Sequence, residues 1–408
     1  MHYALSIMHY KICIIKTTEI VNRVLLTKAE CAALRGLAIL AIVLHNYTHW
    51  LGLAVKENEY QFHRNNCDGL LHAVLHADIN LPIHLLSFFG HYGVPVFLFL
   101  SGYGLVLKYE KSQRAPLSTA KAPSSAPEGA TNVSSTENTA EKAIQAPSGA
   151  VGGAFFLRYH FLKLFRMMIV GFVAFVMLDA ITPGRHHYQL LHVVAQLGMF
   201  NNLLPTPDKV IWPGPYWFFG LMLQLYIVYR LLIWRRHWGI VVGLIVVCWL
   251  LQAFCNPTGE LLNRLRYNFV GGMLPFGLGV LLARFQSRFI TTLSAGKGRY
   301  AMLLLTASAL VFLLSFNYQT WYWVPVFVVL GSVALVKVLP RSIATMLEWT
   351  GGVSAAMFVC HPIARKIIIA PYRTTDIYAG LLLYLVACIC LAWLFAEVMK
   401  RIPEPRKH

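Results

Sequence analysis

Ten mainly apolar runs punctuate the chain, at about 32–54, 83–107, 165–182, 215–234, 238–255, 268–285, 300–316, 321–339, 349–370 and 377–399. Each approaches the ~20 residues that a helix needs to cross the hydrocarbon of a bilayer. No water reaches a peptide group there, so a spanning segment must close its hydrogen bonds within itself, as a helix does. The pattern predicts an all-α polytopic integral membrane protein with about ten transmembrane helices. An even number of spans puts both termini on one side. Most Lys and Arg fall in segments that share that side, so both termini are expected in the cytoplasm.

Composition points the same way. With 408 residues, 57% hydrophobic and 13% charged, the chain has too little polar surface to cover a soluble globule. Its formal charge of +18 would suggest nucleic acid in a soluble protein. Here the cations sit in loops, without interleaved aromatic platforms, and read as topology-setting charge with no nucleic-acid partner. The eight cysteines form no CxxC and mostly lie in or beside spans, so no disulfide framework is expected. Residues 1–27 read as an uncleaved lead-in, or the mark of an upstream start codon, rather than a signal peptide. Residues 28–400 read as the transmembrane domain, and 401–408 as a basic cytoplasmic tail. Within that domain, 111–153 is rich in Ala, Ser, Thr, Pro and Gly without aromatics, the composition of a disordered cytoplasmic insert. The run 188–204 is apolar on one face only, and reads as an interfacial or re-entrant helix.

The first span, AALRGLAILAIVLHNYTHWLGLA, carries Arg35, His45, Asn46 and His49. Ionisable groups inside a span cost several kcal/mol unless they face protein or water, so they default to a functional reading. In the first outer loop, His72 and His76 have the i, i+4 spacing of a two-His metal site beside His63, Asp68 and Asp78. They lack the HExxH glutamate and any Cys ligand, so they read as interfacial and no metal is expected. His84 and His91 are assigned to the mouth of the second span, and Ser101-Gly102 near its cytoplasmic end allow close approach of a helix or ligand. Arg158, His160, Lys163 and Arg166 form a basic collar suited to lipid headgroups or to an anionic cofactor. Trp212, Tyr216 and Trp217 read as an outer aromatic belt, with Gln224 and Tyr226 deeper. Glycines around Pro275 suggest close helix packing. His361, followed by Pro362 and Arg365, is a second buried ionisable cluster, read as a polar contact or kink.

Six stretches then match one pattern together: ALRGLAILAIVLHNYTHW, GVPVFLFLSGYGLVL, FFLRYHFLKLFR, YWFFGLMLQLYIVY, LPFGLGVLLARF and GGVSAAMFVCHPI. In order and approximate spacing the chain resembles the membrane-bound acyltransferase type 3 family, which includes polysaccharide and lipopolysaccharide O-acetyltransferases. The resemblance implies an acyl-coenzyme A donor, most often acetyl, a glycan or lipid-linked glycan acceptor, and a bacterial inner membrane location. The family's first span carries an Arg and an essential His with ten residues between them. Here nine lie between Arg35 and His45, and Asn46 occupies the expected position. On an ideal helix at ~100° per residue, His49 lies about 40° from Arg35 and His45 about 80°. His45 and His49 are therefore rival catalytic residues, and a π-bulge would restore the family geometry for His45. The family's carboxylate in the fourth span is absent, with Gln224 the nearest polar group.

The expected machinery follows. His45 or His49 activates the acceptor hydroxyl or carries the acyl group, and Asn46 or Gln224 donates to the oxyanion. Arg35, Ser101, Arg158, Lys163 and Arg166 hold the donor, and Trp217, Gln224, Tyr226 and His361 contact the acceptor. The rival class is a proton-coupled transporter or flippase of a glycolipid, for which inverted repeats and paired broken helices would speak; neither is visible in the sequence.

Overall fold

The computed structural model describes residues 25–111, 149–293 and 296–405, which are mostly helical with no strand among them. The helices of eight residues or more are α1 (Lys28–Thr48), α2 (Arg64–Leu75), α3 (Leu81–Phe89), α4 (Gly93–Val106), α5 (Gly149–Ile181), α6 (Leu190–Leu197), α7 (Trp217–Val228), α8 (Trp238–Ala253), α9 (Glu260–Tyr267), α10 (Phe269–Leu293), α11 (Lys297–Leu314), α12 (Val324–Val338), α13 (Arg341–Tyr372) and α14 (Ile377–Arg401). Among the described residues, eight segments are long and apolar enough to cross a membrane, and the two shorter apolar helices, α8 and α12, fall at the expected fifth and eighth spans. The protein is therefore an all-α, multi-pass membrane protein. Residues 112–148 of the expected insert, and 1–24 of the lead-in, lie outside the described residues; α5 already begins at Gly149.

The second span is longer than the sequence suggests. It runs Leu81–Lys111 as α3, a 3-10 turn at Gly90–Tyr92, α4 and a final π turn. The ninth span, α13, is longer too, at 32 residues with Pro362 and Pro371 inside it. The 188–204 run holds only the eight-residue α6 and a 3-10 turn at Asn201–Leu203, so it adds no span.

α1 sets the architecture. It starts at a capping box: the Thr27 hydroxyl accepts from the Glu30 amide, and the Glu30 carboxylate accepts from the Thr27 amide at 2.8 Å. Glu30 also pairs with Lys337 of α12 at 2.7 Å. The helix stays α-helical from Lys28 to Thr48, so no π-bulge separates Arg35 from His45. It packs most extensively against α13, and two facing glycines make this crossing close. A Cβ on Gly36 would lie 2.0 Å from the Leu347 carbonyl oxygen, and one on Gly351 would lie 1.9 Å from that of Ala32. Backbone-to-backbone approach of this kind is how helices gain packing contact where lipid supplies no hydrophobic drive.

Candidate active site

The C-terminal end of α1 gathers imidazoles. His45 and His49 are four residues apart, hence about 40° apart on the helix, and their ring centroids are 5.4 Å apart. His45 is buried, and its Nδ1 lies 2.9 Å from the Ser87 carbonyl oxygen. A carbonyl only accepts, so Nδ1 carries the proton and Nε2 keeps its lone pair. The contact depends on Gly90, where a Cβ would fall 2.6 Å from the His45 Cβ; only glycine lets the second span approach α1 here.

His49 has a stronger orienting partner. Its Nδ1 lies 2.7 Å from Glu57 Oε2, and the Glu57 side chain is only 11% exposed. Burial by itself raises the Glu57 carboxyl. The hydrogen bond from His49 and the nearby His45, His49 and His91 outweigh that, and hold it at about 2. Glu57 is thus ionised at any working pH. It stands in the loop after α1.

His91 completes the group. It sits in the 3-10 turn of the second span, with its ring 5.7 Å from that of His45, and both ring nitrogens are buried without a hydrogen-bond partner. It lines a small cavity together with Glu59, Tyr60, Trp217 and Arg266. Tyr60 stacks on Tyr267 at 3.9 Å, and Trp217 meets both edge-on. Burial and the neighbouring Glu57 charge push the Glu59 carboxyl up to about 8, so one acid beside the site is charged and the other largely neutral at pH 7. One atom each from His45, His49 and Glu57 lie within 4.8 Å of one another and could hold a divalent cation. The Ser87 and Glu57 contacts already satisfy both Nδ1 atoms without one.

The other expected residues fall into three groups. Asn46 turns from the histidines toward α13: its amide nitrogen donates to the Ile42 carbonyl at 3.0 Å, and its oxygen accepts from Arg365 at 3.1 Å. Gln224 accepts from the Phe269 amide at 2.9 Å and donates to Asn268 at 2.7 Å, tying α7 to the start of α10. Both of the polar atoms proposed for the oxyanion role are therefore engaged. His361 is fully buried, with Nδ1 3.3 Å from the Met357 carbonyl oxygen.

At the opposite end of the bundle lies the expected donor set. Arg35 is half-buried, with neither a hydrogen bond nor an ion pair among the described residues. Ser101 is within side-chain hydrogen-bonding reach of Tyr226. The Tyr226 ring lies 4.3 Å from that of His160, whose Nε2 is 3.2 Å from the Tyr109 hydroxyl. The Lys108 ammonium sits 4.6 Å from the Tyr109 and Tyr159 rings. Arg158 and Lys163 are exposed on α5. Arg166 departs from the collar: it donates to the Met399 carbonyl at 3.1 Å and pairs with Glu404 at 3.3 Å. His72 and His76 stack on one another at 4.3 Å on an exposed face.

Sequence reasoning missed Glu57, Glu59, His91 and Arg365 as members of this region. A signal existed for His91, because Gly90 and Gly93 bracket it and mark close backbone approach.

Comparison with known proteins bears on this geometry. No curated protein and no solved structure matches the chain. A family model described as an acyltransferase domain matches residues 31–397, nearly the whole chain and every element that builds the site. The chain belongs to the acyltransferase 3 family and is a membrane acyltransferase.

Proposed function

We propose that the protein moves an acyl group, acetyl in the first instance, from acyl-coenzyme A to a hydroxyl of a cell-surface or lipid-linked glycan at a bacterial inner membrane. The observation that carries this reading is the His45, His49 and Glu57 cluster at one end of α1, with Arg35, unpaired among the described residues, near the other. His45 lies ten positions along the helix from Arg35, about 15 Å at ~1.5 Å per residue, and His49 fourteen positions, about 21 Å. Arg35, with Arg158 and Lys163 from the collar, meets the donor phosphates on the cytoplasmic side. The thin pantetheine arm spans the distance to the histidines.

His49 is the better base of the two. Its partner is a carboxylate, which stabilises the imidazolium that forms on proton uptake, whereas His45 has only the Ser87 carbonyl. In the reaction, His49 Nε2 takes the acceptor O–H proton as that oxygen attacks the thioester carbonyl carbon. The tetrahedral intermediate collapses, the carbon–sulfur bond breaks, and the departing thiolate receives the proton. Tyr60 and Trp217, which line the adjoining cavity, offer aromatic surface to a sugar acceptor, Tyr60 from the side that Tyr267 does not cover.

Inverted membrane vesicles given labelled acetyl-coenzyme A test this, with His45→Ala and His49→Ala assayed separately. Label entering glycan, and its loss in His49→Ala, is expected. Full activity in both variants sinks the proposal, and glycan movement without label favours the flippase.

A further inference from the structure

Arg365 is a cation inside a spanning helix with no anion beside it. It lies within α13, 7% exposed, and among the described residues no carboxylate comes within ion-pair distance. Its neighbour Lys366, by contrast, is paired with Asp179. The Arg365 guanidinium makes two contacts, the Nη1 bond to Asn46 and a stack 4.9 Å from the Trp50 ring centroid. Four of its five N–H groups stay unspent. One turn earlier on the same face, His361 is 0% exposed and its Nε2 has no partner. With Nδ1–H given to the Met357 carbonyl, that nitrogen offers a lone pair to a ligand O–H. A buried charge left unpaired is strongly unfavourable, and a desolvated guanidinium with free donors is a receptor for an oxyanion.

We propose that Arg365, held by Asn46, forms an anion site between α1 and α13 that receives a negatively charged oxygen of the substrate, beside a His361 Nε2 that can accept from an O–H where the bound group carries one. The assignment rests on acyl transfer at the histidine pair. Asn46 lies about 60° around α1 from His49, so this site flanks the histidines on the face turned toward α13. The anion has two sources: the oxyanion that develops on the thioester carbonyl, or a fixed phosphate or carboxylate on the acceptor. Either explains why Asn46 presents its oxygen rather than its amide. It holds the guanidinium in place and leaves the remaining N–H groups for the ligand.

Purified full-length protein in detergent is heated with increasing inorganic phosphate or, as a smaller anion, formate. A rise in unfolding temperature that Arg365→Gln lacks and Arg365→Lys partly keeps is expected. If Arg365→Gln does not fold, Asn46→Asp serves: an internal carboxylate on Arg365 should raise the unfolding temperature without added anion and abolish the anion-dependent rise. No rise with either anion, or a rise that these variants share, overturns the proposal whatever the kinetics show. Kinetics in vesicles then separate the sources. A fall in kcat of about 100-fold or more at unchanged acceptor KM marks the oxyanion, and a raised acceptor KM at preserved kcat marks the fixed anion. Absence of transfer by the wild type removes the acyl-transfer reading but leaves the anion arm standing.

Discussion

Replacing Glu57 by Gln removes one charge at nearly constant shape, and the structure sets the expected loss. The Glu57 carboxylate lies 2.7 Å from His49 Nδ1 and is largely buried. Hydrogen bonds to charged groups contribute about 1.5–3 kcal/mol and neutral ones about 0.5–1.5, so the isostere loses roughly 1–1.5 kcal/mol. That is about tenfold in rate. The upper bound comes from the imidazolium formed in the transition state: two charges ~4 Å apart at an effective dielectric of ~20 attract by about 4 kcal/mol, roughly a thousandfold. Glu57→Gln should therefore lower kcat for label transfer from acetyl-coenzyme A by between about 10-fold and 1000-fold, with KM for the donor unchanged. Because Glu57 is held at about 2, the wild-type carboxylate stays ionised through pH 5–8, and the activity profile there does not follow its titration. Its stabilising effect is fully present above the ordinary carboxyl value of 4.5 and is lost as pH falls toward 2. A folded Glu57→Gln protein within twofold of wild-type kcat would refute the base assignment.

Other consequences follow from particular residues. Gly351→Ala places a Cβ 1.9 Å from the Ala32 carbonyl oxygen, whereas Gly352→Ala meets nothing within 4 Å. The first should lower the unfolding temperature, with an overpacking cost of about 1–3 kcal/mol, and the second should leave it unchanged. Glu59, raised by burial and by Glu57 to about 8, binds its proton more tightly folded than unfolded. Wild-type stability should therefore decline as pH rises from 4.5 through 8, and thermal melts of Glu59→Gln should flatten that decline. Arg35→Gln should raise KM for acetyl-coenzyme A about tenfold or more, the loss of one charge-assisted bond to phosphate, with kcat little changed in the vesicle assay.

The spans were legible because each is a local property. An apolar run of the right length has one outcome in a bilayer, and it did not matter that α8 and α12 fall short of a full crossing. The breaks inside spans were not legible. Gly90–Tyr92 reads as more apolar sequence, yet the second span turns 3-10 there. The reason is tertiary: that turn sets the Ser87 carbonyl against His45 and brings Gly90 onto its Cβ. Pro362 shows the opposite limit, for proline is disfavoured inside a helix and yet α13 continues through it.

The site divides along the same line. His45 and His49 share a face of one helix, which helical geometry alone supplies. Their partners come from elsewhere in the chain, Glu57 from a loop and His91 from the second span, as does Arg365 of α13, which bonds the neighbouring Asn46, and no spacing rule reaches across such distances. The question of a bulge between Arg35 and His45 also changes its meaning. α1 is regular throughout, so Arg35 and His45 stay about 80° apart and the spacing is one residue shorter than in the family pattern. A regular helix needs no correction if the base is His49, about 40° from Arg35 and bonded to the ionised Glu57. The position that the pattern assigns to histidine is then free to hold Asn46, whose oxygen anchors Arg365. On this reading the shortened spacing exchanges one imidazole in the first span for a guanidinium on the ninth, and moves the base one turn toward the loop that supplies its acid.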